Sequence, residues 1–425
     1  MGKRRVLAAI AVVYCAAVSM ATATPRGDHA KFQTDMKAGA DALAKKDFAA
    51  AKRDYSDALK LAPQHPTAIY RLALTNASTG NAKDAFAFLH RIAAMGLQMP
   101  ANFETSFAML KNNIEFATVK MEIARNTAAL CNCNTVFDGP RQSFIAEGIA
   151  FDPRGNRLLV SSVYQRKIVA IENGRMHDFS ATLPAGLSPF SITLDPKRGR
   201  IWVSAASLPQ SHGATAVQRG HSALLAFDMR GKLIANIAGP KDTDLGDTAL
   251  APDGTVYVTD SRNGGVYRLK PDAAKFEAVT NGLSSAQGIA ISADNRTALV
   301  ADYALGLMRL DLATGRLTAI AVPDSVTTLG IDGLAPVPDG SFAATQNGIA
   351  PARVVRFRLS RDWSRITRFD VIARNAPPIS DPSLLTVSGK NIYVVGVAQW
   401  ASFDDDKTEP ARPVPAFKIV KLALP

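Results

Sequence analysis

The chain has 425 residues, too many for one ordinary domain. Hydrophobic residues make up 47% and charged residues 20%, which excludes a disordered chain and leaves a globular one able to bury a core. The net charge of +12 is scattered without a basic run, and no nucleic-acid-binding motif accompanies it, so nucleic acid is not an expected partner.

Residues 1–23 read as a cleavable export signal. Lys3, Arg4 and Arg5 form its positive start, Val6–Ser19 its apolar stretch, and Ala21-Thr22-Ala23 its cleavage site. The apolar run is short for a bilayer span, although a retained N-terminal anchor is the alternative. Val12-Val13-Tyr14 ahead of Cys15 do not form a lipoprotein box, and no later stretch resembles a membrane span. The expected compartment is the periplasm or the cell exterior. After cleavage the only cysteines are Cys131 and Cys133. A bridge between residues two apart is strained, so they read as two small residues at a domain junction, although an oxidising compartment would permit a disulfide.

Residues 33–128 carry a helical period. Gly39, Phe48, Ala51, Tyr55, Ala58, Leu59 and Pro63 stand at the offsets of one tetratricopeptide unit. The small residues allow two helices to approach, Phe48 and Tyr55 fill the space between them, and Pro63 ends the second helix. A degenerate second unit uses Leu72, Ala73, Gly80, Ala85 and Leu89, and Pro100 opens a third stretch. So short an array cannot bury its own apolar face. It therefore either docks on the rest of the chain or binds a protein partner.

Residues 143–425 change to a period of two. Gly148–Val160, Ser191–Val203, Asp247–Val258, Gly288–Val300, Asp332–Ala344 and Asp381–Val395 each read as strand, tight turn and strand. Further strands follow each unit, as in Lys167–Ile171 and Gly265–Leu269. Repeated four-strand units predict a six-bladed β-propeller, making the fold mainly β with an N-terminal all-α domain. Val136-Phe137 or the Phe417–Leu422 strand is expected to close the ring. Asp260-Ser261 and Asp302-Tyr303 end second strands and read as turn residues.

Counting back from the tight turn in each blade reaches Glu147, Phe190, Gly246, Gln287, Asp332 and Asp381. Each should open an innermost strand, so all six should ring one mouth of the central channel. Like charges held close require a cation or protons to compensate them. Carboxylate and amide oxygens suit a hard divalent cation, Ca²⁺ first, with Mg²⁺, Mn²⁺ or Zn²⁺ as alternatives. A solvated polar rim is the competing reading.

The blade pattern and this ring resemble the regucalcin/gluconolactonase (senescence-marker-protein) family, itself similar to strictosidine-synthase-like and NHL propellers. The resemblance implies metal ligands at Glu147 in Ala146-Glu147-Gly148, at Gln287 in Ala286-Gln287-Gly288, where the family has Asn, and at Asp332 in Ile331-Asp332-Gly333. It also implies that Asp332 is a base and that Asp247 contacts substrate, although the Asn that precedes it in the family is Gly246 here.

A hydrolase built this way would use the cation to polarise a lactone carbonyl, and Asp332 or Asp381 to deprotonate water. Two loops should overhang the same mouth. Ser207–Ser222 offers His212, Arg219 and His221 as substrate contacts, or as solvated side chains; Ala398–Ala416 offers Trp400, Asp404, Asp405, Asp406 and Arg412. No nucleophile elbow, phosphate loop, dinucleotide fingerprint or zinc spacing appears. Two readings follow: a metal-dependent hydrolase of small lactones or esters, or a non-catalytic module binding protein or glycan.

Overall fold

The computed structural model describes residues 25–424. The expected export signal and its cleavage site lie outside the described residues. No helix among those described is long and apolar enough to cross a membrane.

The helical region starts at Pro25, ahead of the expected residue 33. It contains α1 (Pro25–Ala44), α2 (Phe48–Leu61), α3 (Pro66–Ser78), α4 (Ala82–Ala94), the single turn α5 (Phe103–Ser106) and α6 (Ile114–Thr127). Asp47 and Asn81 cap α2 and α4 by accepting backbone N–H bonds from Ala50 and Asp84. Gly39 is where α1 meets α2: a Cβ there would fall 2.7 Å from the ring of Tyr55, which is fully buried. Ala51 and Ala58 are also fully buried in the seam.

Six antiparallel sheets follow. Blade 1 spans Ala146–Asp178, blade 2 Ser188–Ala238, blade 3 Leu245–Thr280, blade 4 Ala286–Ala319, blade 5 Ile331–Arg374 and blade 6 Leu385–Ala423. An apolar cluster fills each gap between neighbouring blades, including the gap between blades 6 and 1. Both candidate closing segments lie in blade 6, where Cys133–Asp138 pairs with Lys418–Ala423 as the outermost strand. The propeller thus takes in residues ahead of the expected residue 143. Its first and last strands are hydrogen-bonded to each other, which leaves the ring no open edge there.

Cys131 and Cys133 form a disulfide, contrary to the sequence expectation. Leu130–Cys131 pairs with the outer strand of blade 5, whereas Cys133 begins the outer strand of blade 6. The chain therefore turns between two sheets at Asn132. That turn brings the Cα atoms to 5.1 Å, an ordinary separation for a bridge.

The helices dock on the propeller. Phe32, Ala58, Ala62 and Ala68 join the cluster between blades 3 and 4, with Tyr257, Leu283 and Leu305. Buried Gln64 reaches past Leu305: its Oε1 accepts from the Thr328 backbone N–H at 2.5 Å and its hydroxyl at 3.0 Å. Fully buried Arg353 of blade 5 donates to Gln346 Oε1 at 2.7 Å and to the Met95 carbonyl at 2.8 Å. Gln64→Leu should therefore lower the unfolding free energy by about 1–3 kcal/mol, because it strands the Thr328 N–H. Urea unfolding checks this, and an unchanged midpoint would show that docking does not contribute to stability.

Candidate functional site

The site begins with a backbone irregularity. In blades 1 to 5 the pairing of the innermost strand slips just after its first residues: between Ala146 and Ile149, Pro189 and Ile192, Leu245 and Thr248, Ala286 and Ile289, and Ile331 and Leu334. Such a bulge re-aims the side chains within it. Those residues are Glu147, Phe190, Gly246-Asp247, Gln287 and Asp332. In four blades a hydroxyl from the second strand accepts the freed N–H: Ser161 for Gly148 at 2.7 Å, Ser204 for Ser191 at 3.1 Å, Thr259 for Asp247 at 3.0 Å and Thr345 for Gly333 at 2.9 Å. Gly148 and Gly288 are needed because neighbouring blades crowd here: a Cβ would fall 1.9 Å from the Phe190 carbonyl oxygen and 2.5 Å from that of Asp332.

All six expected rim residues line one central cavity of about 540 Å³. Asp244, Asp247, Ser261, Tyr303, Asn347, Trp400 and Asp405 join them. Among the described residues that line it, six are acidic and none is Lys, Arg or His. Arg262 reaches only Asp244, at 2.9 Å.

The central carboxylates are held by one edge. Glu147 Oε2 accepts from Ser383 Oγ and Trp400 Nε1, both at 2.6 Å. Asp332 Oδ2 accepts from Asn347 Nδ2 at 2.7 Å, and Tyr303 OH donates to Asn347 Oδ1 at 2.9 Å. Glu147 Oε1, Asp332 Oδ1 and both Asp247 oxygens accept no hydrogen bond from the described residues. The Gln287 amide nitrogen turns towards Ser285 Oγ at 3.4 Å, which leaves its oxygen free.

Burial raises every central acid, and repulsion between them adds to it at Glu147, Asp332 and Asp247. Burial, then the charge of Asp332, pushes Glu147 up to about 8 against the pull of its two donors. Burial pushes Asp332 up to about 6, opposed by Asn347 and reinforced by Asp381. Burial, then Asp332 and Glu147, holds Asp247 well above its ordinary value of 3.8. Burial also raises Asp381, against the backbone N–H groups of Ala401, Gln399 and Trp400.

These groups fit a hard divalent cation in chemistry: oxygen donors only, unpaired lone pairs and uncompensated negative charge. They are not drawn together, since no three His, Cys, Asp or Glu side chains among the described residues form a finished metal cluster. They surround a cavity instead.

The other sequence candidates lie elsewhere. His212, Arg219 and His221 are exposed and do not line the cavity. His212 stacks on Tyr164 at 5.0 Å and faces Glu409 at 3.8 Å. Both overhanging loops do reach the mouth, through Leu208 on one side and Trp400 and Asp405 on the other. They are tied together where Gln210 donates to the Asp404 carbonyl at 2.8 Å. Asp260 and Asp302 serve their turns, accepting backbone N–H bonds from Arg262 and Ala304. The residues after them, Ser261 and Tyr303, face the cavity instead. Sequence reasoning read Tyr303 as a turn residue and did not single out Asn347 or Ser383. For Tyr303 and Asn347 a signal existed, because each follows the end of a second strand at the same mouth.

A six-bladed propeller with an acidic channel mouth is thus defined. The SMP-30/gluconolactonase/LRE-like profile matches residues 145–372, and the chain belongs to that family. Among solved structures it is similar to a gluconolactonase from Xanthomonas campestris, at 17% identity over 71% of this chain and 93% of that one, TM-score 0.48. It is similar to a calcium-binding regucalcin from Agrobacterium tumefaciens, at 17% identity over 70% and 96%, TM-score 0.48. It is also similar to a PQQ-bound aldose sugar dehydrogenase from Streptomyces coelicolor, at 15% identity over 69% and 99%, TM-score 0.47. No curated protein matches it significantly.

The raised acids make a pH prediction. Between its ordinary value of 4.5 and about 8, folded Glu147 keeps a proton that the unfolded chain has released. Its contribution is full below the lower value and is lost as pH rises through the upper one. In chelator, the melting temperature should fall between about pH 5 and about pH 8, and Glu147→Gln should flatten the fall. Differential scanning calorimetry measures both, and a rise with pH would contradict the assignment.

Proposed function

We propose that this chain is an exported, divalent-cation-dependent hydrolase of lactone or ester bonds. One observation carries the reading: six acidic residues and no basic one line a single cavity at the channel mouth. Family membership agrees with it. Glu147, Asp332 and Gln287 would hold the cation, Ca²⁺ ahead of Mg²⁺, Mn²⁺ or Zn²⁺, and the two unpartnered oxygens of Asp247 suit it to the same task. When bound, such a cation polarises the scissile carbonyl.

The remaining chemistry belongs to the chain. Asp332, raised by burial above its ordinary value in the cation-free site, would be the base that takes a proton from water. Asn347 and Tyr303 fix the carboxylate through Oδ2 and leave Oδ1 open to the cavity. Asp381 is the second candidate base, and the Ala401 N–H, 3.5 Å from its Oδ2, steadies it. Trp400 and Ser383 keep Glu147 turned inward. Phe190 lines the cavity without filling it, which favours a small-molecule substrate over a plugged binding scaffold. The docked helices favour a role within the chain over capture of a separate protein.

A saturable divalent cation should raise the melting temperature, by linkage worth about 2.7 kcal/mol at a hundredfold excess over Kd. Glu147→Ala and Asp332→Ala should abolish the shift. Asp332→Asn should cut lactone turnover by about 10²–10⁴-fold. A calorimetric cation titration alongside a pH-stat lactone assay tests all three, and no shift with any cation would sink the reading.

A further inference from the structure

A second and larger cavity, about 750 Å³, separates the helical region from blades 4 and 5. That volume lies within the range of about 300–1,000 Å³ usual for small-molecule sites. Its walls come from Tyr70 and Leu74 of α3, Ile92 of α4, Leu97 and Met99 beyond it, and Ile349 after the second strand of blade 5. Among the described residues no Asp or Glu lines it, and Arg71 is its one fixed charge. His65, Thr67, Gln98, Asn102 and Ser106 also line it, so it differs from the channel mouth in its larger apolar share and in lacking acids among its described lining residues.

The two spaces share a wall. Tyr303 lines both. Its ring sits against Gly348, where a Cβ would fall 2.7 Å from Cζ and 2.8 Å from the hydroxyl oxygen. Through Asn347 the same hydroxyl is linked to Asp332 by two hydrogen bonds in series. The groove therefore opens beside the side chain that orients the candidate base.

We propose that the groove holds the apolar substituent of the same small molecule whose polar end enters the acidic cavity. This proposal deepens the hydrolase reading and rests on it for the identity of the polar end. The ligand class is a lactone or ester bearing an extended alkyl or aryl group. Electrostatics sets its direction: the oxygen-rich end lies among the carboxylates and any cation they hold, and the hydrocarbon lies between the helices and Ile349. The helical region is then one wall of the binding site as well as a docked support.

The test uses the full chain carrying Asp332→Asn, so that binding is read without turnover. A series of γ-lactones with unbranched side chains from methyl to octyl is titrated calorimetrically. Affinity should rise by about fourfold for each methylene buried. Ala101→Trp and Thr67→Trp alter exposed positions on the groove wall, where folding risk is small, and each should flatten the series. A flat series in the parent, or a rise that neither tryptophan changes, overturns the proposal. Turnover of the same lactones by the unaltered chain with Ca²⁺ is measured separately. A tryptophan-sensitive rise in affinity without turnover would refute the hydrolase reading yet uphold the groove as the apolar half of a ligand site.

Discussion

The slip in strand pairing at the mouth of five of the six blades is the constraint on which the site depends. A regular inner strand would alternate its side chains between the two faces of its blade, where the apolar clusters between blades would bury them. The slip releases two residues from that alternation and turns side chains such as Glu147, Gln287 and Asp332 into the channel. It also frees an N–H that must be satisfied, and Ser161, Ser204, Thr259 and Thr345 do so in four blades. The Gly after each of those three rim residues belongs to the same solution. Without a side chain it lets the next blade's backbone approach, and the ring closes around a narrow mouth.

Closing the ring concentrates charge. Glu147, Asp247, Asp332 and Asp381 come from four different blades, so no local sequence feature reveals their repulsion. In a chain with net charge +12, this cavity gathers six acids and no basic side chain among its described lining residues. The neutralising charge therefore has to arrive as protons or as a cation. The hydrogen bonds favour a site prepared for a cation. Donors hold one oxygen each of Glu147 and Asp332, fixing their orientation while the opposite oxygen stays uncommitted. A site stabilised by protons alone would need a partner for that second oxygen too.

The ring residues were legible because the tight turns give a register that can be counted. One count from Pro153 reaches Glu147, and the same count from Pro338 reaches Asp332. The hydroxyls that satisfy the slipped N–H groups were legible in principle, since Ser161 and Thr345 interrupt apolar strands at matching positions. Tyr303 and Asn347 were hidden for a different reason. Each follows a second strand, where a polar or aromatic residue ordinarily marks a turn, and only the closed ring shows that these turns face the cavity. His212, Arg219 and His221 mislead in the opposite way. They sit in a loop that does reach the mouth, but the loop presents Leu208 there and leaves the basic residues in solvent. The cysteine pair misled because a bridge between residues two apart is ordinarily strained, whereas here the chain bends between blades 5 and 6.

The helical region extends the same logic. Its sequence shows small residues that pack helix on helix, and nothing in it names the surface that receives the array. The structure shows that surface to be the channel-mouth side of blades 3, 4 and 5. Gln64 satisfies Thr328, and the Met95 carbonyl at the end of α4 receives buried Arg353. These contacts are polar, buried and specific in direction, so they fix the helices at one angle, which apolar contact alone would not do. With that angle fixed, α3 stands across from Ile349 and Tyr303, and the wall of the acidic cavity is also the wall of the apolar groove. The propeller supplies the carboxylates, but the shape of the space leading to them is set jointly with the helices.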